Sequence, residues 1–158
     1  MKYVKFGFIL IVSCSVFMSH VQSMALSTNQ HDAQEVLAAV NAYRKQHGLH
    51  ALKNSAIISH EARQHSLDMA KKTVSFGHAG FNTRIKHIYA HFTQAKSGAE
   101  NVAYFPPSKS ATEVVRLWTT SPGHRRNIVG HYNYTGIGVV HDKRGWVYYT
   151  QTFVLANS

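Results

Sequence analysis

The chain has 158 residues, of which 44% are apolar and 15% are charged, with 17 Lys and Arg against 7 Asp and Glu. The apolar content excludes a disordered tail and the length excludes a large multidomain enzyme, so a single domain is predicted. A domain of this size buries about 68% of the surface that its unfolded chain exposes, which is enough for one hydrophobic core without disulfides.

The first residues have the features of a signal peptide. Lys2 and Lys5 precede an apolar run over residues 6–18, and residues 21–23 are small or modest in size, as a cleavage site requires. We therefore predict a signal peptide over residues 1–23. No later segment has the roughly 18 consecutive apolar residues that a membrane helix needs, so we expect no transmembrane segment once the leader is removed.

The single cysteine, Cys14, lies inside this leader. The exported domain is therefore expected to be free of disulfides, although export usually permits them. An alternative is that Ile11-Val12-Ser13-Cys14 is a bacterial lipoprotein cleavage box, which would leave a lipid anchor on Cys14. The apolar run continues past Cys14 to Met18, which favours cleavage near Ser23 and a protein that is secreted or periplasmic.

The apolar spacing predicts helices first and a β-hairpin last. Helices are predicted over 32–47 and 54–72, in a short segment from Asn82 through Ile88, and from Ser110 and Ser121 onward. Strands are predicted over 100–104, 134–141 and 146–154, the last two joined by a turn at 142–145. This order predicts an α+β domain in which helices cover a mainly antiparallel sheet. Four aromatic residues are expected to pack in its core rather than to bind a ligand: Trp118, Trp146, Tyr148 and Phe153.

Twelve histidines make a metal site the first chemistry to consider. His60 and His65 resemble a zinc-protease motif, but a five-residue step at about 100° per residue places the two rings roughly 140° apart around a helix. That motif is therefore excluded. His87 and His91 have the four-residue spacing that puts two rings on one face, although such an isolated pair is more typical of a solvated surface.

Three positions are better placed for function. His78 lies in a loop bounded by Gly77 and Gly80, where the backbone can present a side chain in an unusual conformation. Glu100 begins an apolar strand, where a carboxylate needs a cation or hydrogen-bond donors if it is buried. His124 lies in the first turn of a helix, whose dipole disfavours the protonated ring.

Several motifs occur together in a recognisable order. They are Asn41-Ala42-Tyr43-Arg44, Phe76-Gly77-His78, Ala99-Glu100-Asn101-Val102-Ala103, the run from Trp118 to Ile128, Gly136-Ile137-Gly138-Val139 and Tyr149-Thr150-Gln151-Thr152-Phe153. This order resembles the bacterial branch of the CAP superfamily, which contains the cysteine-rich secretory proteins, antigen 5 and the plant pathogenesis-related proteins. The resemblance implies a short linker over residues 24–32 and a CAP-like domain over residues 33–155.

The resemblance also implies a three-layer α-β-α sandwich with a central cleft, where many relatives use two histidines and two acidic residues to bind a divalent metal, often zinc. His78, Glu100 and His124 match three of these positions and would be the zinc ligands here. Ser121 stands at the fourth, acidic position, and Gln151 matches a position that lines the same cleft. Two imidazoles and one carboxylate can hold zinc with an open fourth position.

Three functions remain open. The first is a non-enzymatic binding module for a small or lipid-like ligand, because the exported part has no cysteine and no nucleophile elbow. The second is a metal-assisted hydrolase that uses the same cleft. The third is adhesion of a basic surface to an anionic glycan or envelope lipid. Nucleic acid is not expected as a partner, because the basic residues are scattered and export separates the protein from it.

Overall fold

The structure, a computed structural model, describes the backbone of residues 9–157 and the side chains of residues 23, 24 and 26–157. Lys2, Lys5 and the side chain of Cys14, on which the signal-peptide and lipid-anchor predictions depend, lie outside the described residues. Within that part of the chain, no helix combines the length and hydrophobicity that crossing a membrane demands.

Five helices and four strands are present in the described residues. In chain order they are α1 (Ile9–Gln46), β1 (Lys53–Asn54), α2 (Ala56–Ala70), α3 (Phe81–Tyr89), β2 (Gln94–Phe105), α4 (Ala111–Thr120), α5 (Pro122–Ile128), β3 (Tyr134–His141) and β4 (Val147–Asn157). The predicted helices, the hairpin and the loop between α2 and α3 are confirmed within a few residues, apart from the start of α1. Helix α4 begins with the predicted capping box between Ser110 and Glu113.

Helix α1 is longer than predicted. The capping pattern at Asp32 predicts a helix start there, whereas Asp32 lies inside a helix that begins at Ile9. No glycine or proline occurs between residues 8 and 47, so no residue in that stretch strongly opposes helical backbone. The end of the helix is as predicted, because Gly48 follows it with a φ of 71°.

Strand β2 is also longer than the predicted 100–104. It pairs with β4 from Gln94 opposite Asn157 to Phe105 opposite Val147, and this pairing extends the strand beyond its apolar centre. Gly98 allows α3 to approach the strand closely, because a Cβ there would lie 2.5 Å from Cδ1 of Ile85.

The four strands form one sheet in the order β1-β3-β4-β2, which is antiparallel except for the short β1–β3 pair. Helix α2 covers one face so closely that a Cβ on Gly136 or Gly138 would lie 2.1 Å from backbone nitrogens of α2. Helices α1 and α4 cover the other face, where Val36, Val114 and Trp118 pack against the sheet. The predicted three-layer α-β-α sandwich is confirmed.

The predicted core aromatics are confirmed in three of the four cases. Trp118 and Phe153 are fully buried, and Tyr148 is 8% exposed. Trp146, by contrast, is only half-buried, and it lies in the turn, one residue before β4 begins.

Candidate functional site

Glu100 lies on the edge strand β2, and its side chain is 2% exposed. Glu100 is paired with Thr152 on β4, and Thr152 is paired in turn with Gly136 on β3, so the three residues form one row across the sheet. Since side chains in one row of a sheet share a face, Glu100 faces the α2 and α3 side. A carboxylate that is buried there requires partners, as its position in the apolar strand predicts.

Arg84 of α3 is the main partner of this carboxylate. Its Nη2 lies 2.9 Å from both carboxylate oxygens of Glu100, and its Nε lies 3.2 Å from Oε2. The Arg84 side chain is itself only 12% exposed. A guanidinium in this forked arrangement neutralises the buried carboxylate and occupies both of its oxygens.

His78 connects the buried carboxylate to solvent. Its Nδ1 lies 3.0 Å from Oε1 of Glu100, while its side chain is 51% exposed. Because an ionised carboxylate can only accept, we assign the proton to Nδ1, which leaves Nε2 with a free lone pair in the neutral ring. Glu100 therefore fixes the orientation of a half-exposed imidazole.

A second histidine, His65 of α2, approaches the same carboxylate from the interior. Its Nε2 lies 4.0 Å from Oε1 of Glu100 and 2.7 Å from the carbonyl oxygen of Gly77. Burial lowers the pKa of His65, with a further lowering by the positive charge of Arg84 and opposing effects from the Gly77 bond and Glu100. The neutral ring donates to Gly77 and so ties the His78 loop to α2.

His124 of α5 is the third predicted ligand. Its carbonyl oxygen accepts a hydrogen bond from Nδ2 of Asn101 at 3.1 Å, and Nδ1 of its ring is buried without a partner among the described residues. Burial lowers the pKa of His124, and a second proton on the nearby His78 ring would lower it further. The neutral ring expected from the helix position is consistent with this direction.

Two asparagines hold α5 against β2. Nδ2 of Asn127 donates to the carbonyl oxygen of Glu100 at 3.2 Å and to Oδ1 of Asn101 at 2.8 Å. Together with the bond from Asn101 to His124, these contacts fix the first turn of α5 beside the Glu100 backbone. Ser121 precedes that turn and contributes its backbone, since its carbonyl oxygen accepts from the Arg125 amide at 2.8 Å.

Gln151 is placed differently from the other predicted cleft residues. It pairs across the sheet with Asn101 and Ile137, so its side chain points to the α1 and α4 face, opposite to Glu100. Its Nε2 donates to Oγ1 of Thr135 at 3.2 Å, and its Oε1 has no partner in the described part of the chain. The structure thus brings His78 to the Glu100 carboxylate on the α2 and α3 side of the sheet and places Gln151 on the opposite face. Helix α5, which carries His124, is held at the β2 edge through the backbone.

Sequence reasoning missed Arg84, His65, Asn101 and Asn127. The need for a cation beside Glu100 was predictable, because a buried carboxylate in an apolar strand is costly without one. The identity of that cation was not predictable, because Arg84 is 16 residues away from Glu100 in the sequence. The spacing that excludes a protease motif gives no reason to single out His65, and only its burial on α2 reveals its contact with the His78 loop.

The predicted zinc ligands fit a metal only in part. The imidazole nitrogens suit zinc, but both Glu100 oxygens are held by Arg84, and a bound cation would have to compete with that guanidinium. A different group does bring three possible ligands together on α1: His31, Asp32 and Glu35 have ligand atoms within 4.8 Å of one another and could hold a metal ion. His31 and Glu35 are exposed, which makes this group unspecific.

Comparison with known proteins decides the family. The model of the cysteine-rich secretory protein family, CAP, matches residues 37–153. The chain belongs to the CAP family. The resemblance seen in the sequence motifs is thereby confirmed, and His78, Glu100 and His124 lie within the matched part of this CAP domain.

Relatives of this CAP domain occur in bacteria. It is 32% identical over 123 residues to the uncharacterized protein YkwD of Bacillus subtilis, which covers 77% of this chain and 46% of that protein. An extracellular protein with an SCP domain from Bacillus anthracis superposes with a TM-score of 0.67 at 25% identity, over 80% of this chain and 41% of the other. An outer surface protein of Borrelia burgdorferi shares the fold, with a TM-score of 0.70 at 15% identity over 82% and 96% of the two chains. This chain therefore spans less than half the length of the two Bacillus relatives.

Proposed function

We propose that this CAP domain is an exported binding module, without enzymatic activity, whose cleft at His78, Glu100 and His124 takes a small or lipid-like organic ligand. One observation carries the proposal: the half-exposed ring of His78 is fixed through Nδ1 by a buried carboxylate at 3.0 Å. Because this ring is already held in one orientation, binding a ligand at Nε2 costs little further conformational entropy, which favours binding.

His124 supports the same proposal from the other side of the cleft. Its buried Nδ1 lacks a partner among the described residues, and an unsatisfied polar atom costs about 1–3 kcal/mol. A ligand whose binding opens this side of the ring would donate to the nitrogen and recover that cost. The lowered pKa of His124 keeps the ring neutral and able to accept.

A metal-assisted hydrolase has less support from the geometry. In such an enzyme Glu100 would serve as a metal ligand or as the general base. Arg84 already binds both of its oxygens, and a metal ion or a substrate would have to compete with that guanidinium. The adhesion alternative rests on the net charge and on two basic pairs, Arg125-Arg126 and Lys143-Arg144. Arg144 is already paired with Asp142 at 3.2 Å, which leaves this alternative less support.

The ligand can be identified by its retention on the protein. Purified protein would be incubated with small-molecule and lipid extracts of the source cells, washed, and analysed by mass spectrometry. We expect a compound enriched on the wild-type chain and lost from His78→Ala and His124→Ala, but retained by His131→Ala, which removes an exposed histidine elsewhere. Retention by all variants, or by none including the wild type, would contradict the proposal.

Export is the second part of the proposal and rests on the leader pattern of residues 1–23, with secretion or a periplasmic location as its outcome. Its support is the basic start and apolar run of the leader. Mass spectrometry of the protein made in its natural host would give a new N terminus near residue 24. A lipid on Cys14 would instead establish the anchored alternative, and an unprocessed cytoplasmic chain would rule out both.

A further inference from the structure

Four aromatic side chains form a continuous surface beyond the end of α2, which we call the aromatic shelf: Phe76, Tyr104, Trp146 and Tyr148. The Tyr104 ring lies at its centre, with ring centroids 4.7 Å from Phe76, 5.5 Å from Trp146 and 5.9 Å from Tyr148. The last two contacts are stacked, with interplanar angles of 29° and 17°. Phe76 and Tyr104 are 49% and 46% exposed, although large aromatic side chains are usually covered.

The shelf has a pocket and a polar rim. The pocket has a volume of about 360 Å³, and its floor contains Met69, Val74 and Tyr148. Lys72 and Ser75 complete its wall. This volume is within the range of small-ligand sites, about 300–1,000 Å³, and the mixture of aromatic faces with a few polar groups is typical of them.

Lys72 adopts a backbone conformation that is unusual for its residue type. Its φ is 60°, the single positive φ found for a non-glycine residue in the described part of the chain. It is the residue after the C-cap of α2, where its amide donates to Met69 and the next amide donates to Asp68, each at 3.0 Å. Glycine is the usual residue at this position of such a motif, because a side chain there is strained. Strain that persists in a folded protein points to a use for the side chain.

We propose that the aromatic shelf is a binding site for an acidic saccharide, lined by residues other than His78, Glu100 and His124. The C–H face of a sugar ring carries slight positive charge and packs on the exposed parts of the Phe76 and Tyr104 rings, which both line the pocket. The exposed ammonium of Lys72, at the edge of the same pocket, pairs with a carboxylate of the sugar. The hydroxyl of Ser75 supplies a further hydrogen-bonding partner for sugar hydroxyls.

The charge and shape of the pocket favour a saccharide over an acyl chain. The free energy of binding an acyl chain is most favourable in an enclosed apolar tunnel, which removes most of its surface from water. Here two of the aromatic rings, Phe76 and Tyr104, are half-exposed, and a lysine and a serine lie on the wall. Contact with the exposed parts of these two rings leaves the other side of a sugar in water, where its hydroxyls remain hydrated.

The test uses tetragalacturonate as the acidic probe, maltotetraose as the neutral one, and tryptophan fluorescence as the readout. The chain has two tryptophans, and Trp118 is fully buried, so a ligand on the shelf changes the emission of Trp146. We expect a saturable change with tetragalacturonate and an affinity for maltotetraose that is about fivefold weaker, which corresponds to the loss of one exposed charged contact.

Two variants and two matched controls make the result specific. Tyr104→Ala should lose binding by at least about tenfold, whereas Leu117→Ala, which removes another half-exposed apolar side chain on α4, should bind as the wild type does. Lys72→Gly should weaken binding about fivefold and at the same time raise the melting temperature, because glycine relieves the positive φ. Lys71→Ala removes the adjacent exposed charge and should change neither the saccharide affinity nor the melting temperature.

Three outcomes would overturn the proposal. The first is that tetragalacturonate causes no saturable change in the fluorescence of the wild type. The second is that Lys71→Ala and Lys72→Gly lose the same amount of affinity, which would mean that the positive charge attracts the saccharide without a defined site. The third is a Trp146 response to phosphatidylglycerol vesicles but not to tetragalacturonate, which would make the shelf a lipid-surface contact. A gain in melting temperature with unchanged binding in Lys72→Gly would remove the role of Lys72.

Discussion

The guanidinium of Arg84 and the carboxylate of Glu100 form a bidentate ion pair, with Nη2 2.9 Å from both carboxylate oxygens, on side chains that are 12% and 2% exposed. This pair joins helix α3 to the edge strand β2 and stands directly behind His78. It makes Glu100 a positioning residue for an imidazole, and it places a positive charge where a metal ion would otherwise meet the carboxylate.

Removing Arg84 should destabilise the domain strongly. Arg84→Met leaves the Glu100 carboxylate buried without its main partner, and we expect the free energy of unfolding to fall by about 3–5 kcal/mol in chemical denaturation. Arg116→Met is the matched control, because that side chain is 72% exposed and 3.9 Å from Glu113, so its loss should cost no more than about 1 kcal/mol. Equal effects of the two substitutions would contradict the buried-pair account.

Arg44 should not tolerate replacement by lysine. Its side chain is buried and donates to four backbone carbonyls rather than to an acid, those of His50, Ile128, Gly130 and Tyr132, at 2.8–3.2 Å. A lysine has a single nitrogen and cannot reach this spread of acceptors, so Arg44→Lys should lower the free energy of unfolding by about 3 kcal/mol. Lys45→Arg on the exposed side of the same turn should leave it unchanged, and a mild effect of Arg44→Lys would refute this role.

The close approach of α2 to the sheet depends on glycine in β3. A Cβ on residue 138 would lie 2.1 Å from the backbone nitrogen of Arg63, so Gly138→Ala should lower the free energy of unfolding by about 3 kcal/mol. Gly123 in α5 has no atom within 4 Å of such a Cβ, and Gly123→Ala should be neutral or stabilising by up to about 1 kcal/mol. Thermal unfolding of both variants checks the pair, and similar melting temperatures would be evidence against the tight α2 contact.

Stability should rise with pH as the buried histidines lose their protons. Burial lowers the folded-state pKa of His65 and of His124, so the unfolded chain binds protons more readily. Their contribution to stability is complete above the unfolded value of about 6.5 and declines as the pH falls below it. His65→Gln keeps a donor for the Gly77 carbonyl but cannot titrate, so its unfolding free energy between pH 5 and 7.5 should vary less than that of the wild type. An unchanged slope in this variant would contradict the assignment.

Much of the fold was predictable because local patterns decide it. The apolar spacing of α2 and α4, the Ser110 capping box and the β3–β4 hairpin each depend on residues close in sequence. The start of α1 and the ends of β2 were predicted less well. A helix start is set by the absence of a breaker as much as by a cap, and the length of β2 is set by its partner β4.

The site was predictable only where a motif marks it. His78, Glu100 and His124 were found through loop, strand and helix positions together with a family resemblance. Arg84 and His65 reach Glu100 from other elements, and no local pattern connects them to it. The face on which Gln151 lies depends on strand register, because a shift of one residue reverses every side chain of a strand.

The most direct test of this account is zinc titration of the purified protein by calorimetry at neutral pH. Because Arg84 holds both oxygens of Glu100, we predict no stoichiometric zinc uptake at the His78 cleft of the wild-type chain. Any weak zinc binding to surface groups should then be the same in the wild type and in three variants: His78→Ala, Glu100→Ala and His124→Ala. One equivalent of zinc, lost in each of these three variants, would contradict the account and make the cleft a metal centre.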